Sequence, residues 1–355
     1  ASTEGFQYHW LDYDGLYLGD TPFRVRARLI YERNSANYFG VGEDTLGPLT
    51  FRGESYDTLA GLQAAQATVR DGIASTLYNK FDLERPQGGV TVERDFFGGR
   101  VRLQAGVNVS HVSVRTFDGK AIKGTGPGGE SLDAVQGATL LKLHCEQERI
   151  EGCRGGWNNV LKVGVAYDSR DFEPDPNVGV FADVTAEVSS PAFGSTYEYA
   201  KVTFSPRVFY SPFPKLTDLV LAGRFLYSMQ TAGTPFFATS TLALTDADIS
   251  GLGGLRTLRG YRQDRFVGAM VALANLEVRW TFANFRLARQ RFATMVVPFV
   301  EGGRVFDRVG FSLERWRVSY GGGLRIAWNQ ATIVAADYGM SPEDAGLYIN
   351  FGHPF

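Results

Sequence analysis

The feature that most constrains this chain is a set of long runs in which apolar side chains alternate with polar or small ones. Between Arg317 and Trp328, almost every second residue is large and apolar, and the residues between them are Arg, Ser, Gly or Ala. Similar runs lie at 23–32, 101–109, 270–282 and 346–355, and the last of these places Phe351 and Phe355 on one face. A period of two residues is typical of a β-strand with one apolar face, so the sequence predicts an all-β protein.

The length of these runs separates a membrane barrel from a soluble sandwich. Each run is roughly 10–12 residues long, whereas soluble strands usually have about 5–6 residues and a tilted membrane strand needs about 9–11. The hydrophobic content of 44% fits this interpretation, because only every second residue of a barrel strand faces lipid. We therefore predict an antiparallel up-and-down transmembrane β-barrel. The net charge of −2 gives no reason to expect a nucleic-acid partner.

The connections between the predicted strands also alternate in length. Three are long, at about residues 40–74, 117–157 and 231–267, and the others are short turns. Bacterial barrels have short periplasmic turns and long external loops, so we expect the long loops to be extracellular. Residues 57–73 have helical spacing and predict a short surface helix within the first long loop. We interpret residues 1–355 as a single domain.

Thirteen strands can be predicted between Glu4 and Phe355. Bacterial barrels have an even number of strands, so this count leaves two alternatives. Either the long loops contain further strands, or the first few strands are missing from the chain. The alternation also changes phase near Ser110, which predicts a β-bulge there.

Two cysteines, Cys145 and Cys153, lie in the second long loop. Seven residues separate them, which is enough for a small disulfide-closed loop in an oxidising compartment. A metal site that includes His144 is the alternative, although two further ligands at the usual spacing are absent from the sequence. We predict the disulfide and no metal site.

The segment from Ser250 to Phe266 combines four glycines with four arginines, which lie at every third position from Arg256 to Arg265. Such a charge run is usually solvated, so an exposed outer loop is one interpretation. Within it, Thr257 to Tyr261 reads TLRGY. This stretch resembles the [VI]-R-G-[FY] motif of the BamA/TamA superfamily of outer-membrane barrels, whose common module is the bacterial surface-antigen domain.

Neighbouring segments resemble the same family, in the same order along residues 158–355. They are the turn DSRDFEPDPNVG with Asp168, Arg170 and Asp171; the strand NLEVRW with Glu277; the strand FVEGGRVFD with Glu301 and Gly303; the strand SYGGGLR with Ser319, Gly321, Gly323 and Arg325; and the aromatic barrel signal Phe355 at the C-terminus. In this family the loop before the twelfth strand folds into the lumen, and the usual barrel has sixteen strands.

The resemblance implies a role for the loop motif of Leu258, Arg259, Gly260 and Tyr261. Arg259 would reach the carboxylates of Glu277 and Glu301 on the inner wall, and Gly303 would leave room for the loop. The alternation of residues 270–282 supports this role for Glu277, because it places Glu277 on the polar face of its strand. A guanidinium in a narrow lumen needs such a partner, because desolvating an unpaired charge is costly. The family has aspartate where this chain has Glu301.

The resemblance further implies a bacterial outer-membrane barrel of the protein insertion or translocation superfamily. Residues 1–157 show no pattern of a POTRA module, so we expect a member without POTRA modules of its own. The expected partners are outer-membrane lipid, lipopolysaccharide, and protein substrates or a periplasmic or outer-membrane protein. Two alternatives remain, a passive pore or transporter and a surface-exposed structural protein. The four histidines lie in unrelated contexts and no G-x-S-x-G motif occurs, so we expect neither an enzyme nor a cofactor.

Overall fold

The computed structural model describes residues 6–16, 18–329 and 332–355. Its main feature is a 14-stranded antiparallel sheet in which thirteen long strands follow one another in chain order. The long strands are β1 (Gln7–Gly15), β2 (Phe23–Asn37), β3 (Lys80–Phe96), β4 (Val101–Arg115), β5 (Val160–Asp168), β6 (Gly179–Ser189), β7 (Tyr199–Tyr210), β8 (Asp218–Gln230), β9 (Met270–Leu287), β10 (Gln290–Phe306), β11 (Arg317–Trp328), β12 (Thr332–Met340) and β13 (Ala345–Phe351). The short strand Gly156–Trp157 pairs with β4 as the fourteenth.

This order confirms the predicted antiparallel up-and-down barrel fold. Each of the thirteen predicted strands corresponds to one long strand of the sheet, although the predicted start of the first, at Glu4, lies outside the described residues. The main sheet has 14 strands within residues 6–16, 18–329 and 332–355, fewer than the sixteen that are usual in the family that the motifs resemble. Within the described residues of the long loops, Gly156–Trp157 joins the main sheet through β4, and the other short strands form three small separate sheets.

The three long loops follow β2, β4 and β8, so they lie at the same end of the sheet. They contain most of the short elements, namely the strands Leu49–Phe51, Glu54–Tyr56, Ile73–Ala74, Ala121–Thr125, Ser131–Gln136, Thr241–Leu242 and Ile249–Ser250, and the helices Glu43–Leu46 (3-10), Leu59–Ala67, Leu140–Glu146 and Phe236–Thr239. Two other 3-10 turns lie at Leu18–Asp20 and Pro191–Phe193. The helix predicted within 57–73 is present as Leu59–Ala67, where the Thr58 side chain caps the first turn.

The two faces of the sheet differ as the alternation predicts. Apolar side chains on the outer face are exposed, as at Leu324 (60%) and Ile349 (76%). Charged and polar side chains on the inner face are buried, as at Lys201 (3%) and Glu277 (2%). A soluble sheet would cover the apolar face, so this pattern is typical of a strand with one face towards lipid. Among the described residues, no helix is long and apolar enough to span a membrane.

The predicted bulge near Ser110 is wrong. β4 pairs with β3 in one constant register, with Ser110 opposite Gln87 and Val101 opposite Phe96. The apolar phase changes because inward-facing Val112 packs into a hydrophobic cluster beneath the long loops, whereas inward-facing residues deeper in the barrel are polar. A register shift occurs in β9 instead, between Thr281 and Ala283.

The C-terminal segment also differs from its prediction. The alternation predicts that Phe355 ends the last strand on the same face as Phe351. However, β13 ends at Phe351, and Gly352 takes a positive φ of 83° that redirects the chain. Phe355 is consequently buried inside the barrel, in a cluster with Phe209, Val220 and Ala222.

Candidate functional site: a loop folded into the lumen

The third long loop, residues 231–269, descends along the inner wall of the sheet. Its backbone carbonyls accept hydrogen bonds from inward-facing side chains of β6 and β7. Lys201 Nζ donates to the carbonyls of Ala238 (2.6 Å) and Thr241 (2.8 Å), and Thr185 Oγ1 donates to the carbonyl of Ala243 (2.7 Å). These bonds satisfy buried polar groups on both sides, which fixes the loop against the wall.

The next part of the loop is held by charged groups. The backbone N–H of Thr245 donates to Asp183 (2.8 Å), and the guanidinium of Arg207 pairs with Asp246 (2.7 Å). Lys162 Nζ pairs with Asp248 at 2.6 Å. The inner wall therefore contacts this loop through residues of three successive strands, β5 to β7.

The tip of the loop forms its own small core. Leu252, Leu258 and Phe266 are completely buried in a cluster that also contains Val305 of the wall. The hydroxyl of Thr257 accepts a bond from the N–H of Gly253 and donates to the carbonyl of Gly251. These two bonds connect the backbone at Gly251 and Gly253 to the Thr257 side chain and so stabilise the fold of the tip.

Arg259 belongs to this tip and is completely buried. Its Nη2 is 2.8 Å from Glu277 Oε1 and 2.8 Å from Glu301 Oε1, and its Nη1 is 2.9 Å from Asp337 Oδ2. Its backbone N–H also donates to Glu301 Oε2 at 2.6 Å. The guanidinium carbon lies 3.5 Å from the centre of the Phe299 ring, which adds a cation–π contact.

Two further arginines complete the network around these carboxylates. Arg279 pairs with Glu277 at 3.0 Å, and Arg325 pairs closely with Asp337. Three guanidinium groups therefore face three carboxylates, so the formal charges within this buried network cancel. Such pairing is required because a buried charge without a partner costs several kcal/mol.

Glycines allow the loop backbone to approach the wall closely. Gly260 has a φ of 110°, and a Cβ there would lie 2.5 Å from the carbonyl carbon of Met340. On the facing strand, a Cβ at Gly339 would lie 2.5 Å from the carbonyl carbon of Arg259. Gly303 has a similar function, because a Cβ there would lie 2.9 Å from Leu252 of the loop. Larger side chains at these positions would displace the tip from the wall.

The other sequence-predicted residues lie around the same site. Tyr261 is buried, and its ring centre lies 5.0 Å from that of Phe266. Ser319 Oγ donates to Glu301 Oε2 at 3.0 Å, which orients the carboxylate. Gly321 and Gly323 leave room for their neighbours, since a Cβ at either would collide with β12 or Asp337.

Sequence reasoning missed Asp337 as the third carboxylate, Phe299 beneath the guanidinium, and Asn275. Asn275 Nδ2 donates to Glu301 Oε1 (2.9 Å) and to the carbonyl of Thr257 (2.7 Å), so it links the wall to the loop. A signal for Asp337 was present, because it is a single acid in the apolar strand TIVAADYGM. That strand was not connected with Arg259 because the contact spans 78 residues of sequence.

The remaining arginines of the loop have different environments. Arg265 is buried, pairs with Glu343 at 2.7 Å, and donates to the carbonyl of Thr45 in the first long loop. Arg262 is half exposed and lies 3.5 Å from Asp344. The side chain of Arg256 is exposed. The four arginines of this segment therefore range from completely buried, at Arg259, to exposed, at Arg256.

The predicted turn after β5 is a compact polar structure, separate from the Arg259 network. Asp168 accepts hydrogen bonds from Arg170 Nε (2.9 Å) and Arg102 Nη2 (2.7 Å). Asp171 accepts from the backbone N–H groups of Asn177 (2.9 Å) and Val178 (3.2 Å). Burial opposes ionisation of Asp171, but these backbone bonds outweigh it and lower its pKa.

The three long loops pack together above the tip. The N–H of Gly42 in the first loop donates to the carbonyl of Val267 in the third, and the N–H of Phe236 donates to the carbonyl of Glu151 in the second. Cys145 and Cys153 form a disulfide in the second loop, with their Cα atoms 5.8 Å apart. Among the residues that the structure describes, no group of three or more potential ligands is placed to hold a metal ion.

Comparison with known families identifies the fold. Residues 46–355 match the model of the Omp85 superfamily domain. The chain belongs to the Omp85 superfamily. This confirms the resemblance derived from the motifs and extends it well before residue 158, where the sequence motifs begin.

Solved structures agree with this Omp85 assignment. The chain is similar to BamA from Haemophilus ducreyi lacking POTRA domains 1–3, with a TM-score of 0.53, 13% identity, and coverage of 97% of this chain and 60% of that chain. It is also similar to CdiB from Escherichia coli, with a TM-score of 0.52, 9% identity, and coverage of 94% and 50% respectively. At these identities the likeness concerns the fold. A search of curated proteins found no match.

Proposed function

We propose that this Omp85 barrel lies in the bacterial outer membrane and takes part in protein insertion or translocation, with its lumen closed at rest by residues 231–269. The single observation that carries the closure is the complete burial of Arg259 among three carboxylates of the inner wall. A loop that is held by charge pairs can be released as a unit. When the loop leaves the lumen, water hydrates the charged groups that were paired between the loop and the wall.

Membrane placement is supported by the exposed apolar outer face described above. The partners that we expect are outer-membrane lipid, lipopolysaccharide and protein substrates. We expect no enzymatic activity. A passive pore is the competing function, and it requires a lumen that is open to solutes at rest.

Proteoliposomes containing the purified chain separate these two functions. We expect an unfolded outer-membrane protein to insert, or an unfolded passenger to cross, faster than in liposomes carrying the heat-denatured chain. Swelling in isotonic sugar should stay at the level of protein-free liposomes. Rapid swelling without any acceleration of insertion or translocation would refute the proposal in favour of a pore.

A further inference from the structure

The β9–β10 hairpin extends beyond its neighbour at the end of the sheet opposite the long loops. β8 pairs with β9 only as far as Asp218 opposite Thr281. Beyond the register shift, residues 283–287 pair with β10 on one edge. In the described part of the chain, no strand pairs with the other edge of residues 282–287. The register shift between Thr281 and Ala283 bends the hairpin at the point where the free edge begins. Such an edge presents N–H and C=O groups to another strand.

This hairpin carries an unusual concentration of positive charge. Arg286 and Arg291 lie directly opposite each other across the two strands. Arg289 lies in the tight turn between the strands. None of the three forms an ion pair within residues 6–16, 18–329 and 332–355. Like charges directly opposite each other are destabilising, so an anion between Arg286 and Arg291 would relieve their repulsion.

Both paired arginines face a cavity at the mouth of the barrel. The outer face at this level carries Phe285 and Phe292, whose rings stack 5.4 Å apart, and the next pair, Arg286 and Arg291, points to the lumen side. The cavity has a volume of about 610 Å³ and is lined by both arginines, together with apolar residues such as Met295.

Arg279 lies at the inner end of this cavity and is 3% exposed. Its Nε donates to Glu277 and its Nη2 to the carbonyl of Phe355, whereas its Nη1 has no hydrogen-bond partner among the residues that the structure describes. Burying a guanidinium N–H without a partner is costly, so an acceptor that reached the inner end of the cavity would be stabilised there. Two carboxylates line the cavity, and neither forms a hydrogen bond with Arg279. Asp175 forms a hydrogen bond with His353, and Asp218 is the first residue of β8.

We propose that this mouth cleft, formed by Arg279, Arg286, Arg291 and the free edge of residues 282–287, binds an extended acidic peptide as an added β-strand. The edge supplies main-chain hydrogen bonds, and alternate carboxylates of the peptide meet the arginines on the lumen side. The intervening residues of the peptide lie beside Phe285 on the outer face and are therefore apolar. A lipid headgroup satisfies the arginines but leaves the strand edge unpaired. This site goes beyond the proposed function and does not depend on it.

Fluorescence anisotropy with the full chain in a neutral detergent tests the site. The probe is a labelled seven-residue peptide with capped ends that alternates valine and glutamate. We expect saturable binding, weakened about tenfold or more in the R286Q/R291Q double variant, because hydrogen bonds to charged groups are lost. R308Q, which changes an exposed arginine at the opposite end of the barrel, should bind like the wild type. A peptide with proline at its central position should bind at least about tenfold more weakly, because it cannot complete the ladder.

Charge reversal keeps the test independent of folding defects. The R286E/R291E variant should lose the glutamate peptide and bind the matching peptide that alternates valine and lysine. Absence of saturable binding to the wild type would overturn the proposal, as would equal binding of the proline peptide. Arginine-dependent binding of phosphatidylglycerol micelles without any binding of the peptide would overturn it in favour of a lipid site.

Discussion

Replacing Arg259 by alanine is the most informative perturbation of the lumen. The variant leaves Glu277, Glu301 and Asp337 around a cavity, with Arg279 and Arg325 as the remaining cations of the network. Removing one partner of a buried pair typically costs about 3–5 kcal/mol. If the cost falls on docking of the loop, the population of chains with the loop released rises by roughly two to four orders of magnitude. If it falls on global unfolding, the chain length of 355 residues implies a midpoint lowered by roughly 5 °C.

Hydrogen exchange distinguishes these two cases when it is combined with heat modifiability on gels. We expect R259A to lose protection mainly within residues 251–267 and to unfold at a lower temperature. R256A is the matched control, because its side chain is exposed and exposed charges contribute only about 0–1 kcal/mol. Equal behaviour of R259A and R256A in both measurements would refute the argument that buried pairing holds the loop.

A charge swap tests the composition of the site. If Arg259 paired with Glu301 alone, E301R would be damaging and R259E would partly rescue it. The structure adds Glu277 and Asp337 to the same guanidinium, so a glutamate at position 259 would face two remaining carboxylates. We therefore expect the double variant to be no more stable than E301R. Clear rescue, measured by gel heat modifiability, would show that one carboxylate dominates.

Three other predictions concern the loops and the turns. Replacing Cys145 and Cys153 by serine should leave the barrel folded and lower loop stability by about 2–3 kcal/mol, as measured by thermal unfolding, because the closed loop is short. Burial raises the pKa of Asp264 to about 6, so its contribution to loop docking should be complete below about pH 4 and should fall by up to about 3 kcal/mol as the pH rises through 6. Hydrogen exchange measured against pH should show this decline in the wild type and a flat profile in D264N. Protease added to intact cells should cut only the long loops, and cleavage within residues 169–178 would contradict the assigned orientation.

The strands were predictable because their signal is local. The period of two residues and the length of each run depend only on neighbouring positions, so all thirteen long strands could be located. A change in the phase of the alternation can arise from a β-bulge. It can also arise in a regular strand whose inward-facing side chains become apolar because they pack against a loop. At Ser110 the strand is regular, and the apolar phase reflects packing of Val112 under loops that are distant in sequence.

The site was only partly predictable because its contacts are distant in sequence. The motif indicated Arg259, Glu277 and Glu301, which the structure brings together, but the chain alone did not connect Asp337 with them. The burial of Phe355 was also not predictable from alternation, since it follows from the positive φ of Gly352 and from a pocket formed by β7 and β8. Both features depend on packing between side chains of several strands, so they cannot be predicted from the sequence of any one strand.

Conductance of the purified chain in a planar bilayer tests the central claim, that residues 231–269 close the lumen at rest. The wild type should show little steady current, R259A should show more frequent openings, and a variant in which residues 240–262 are replaced by a short glycine–serine linker should show a large steady current. A large steady current from the wild type, unchanged by loop replacement, would contradict the account.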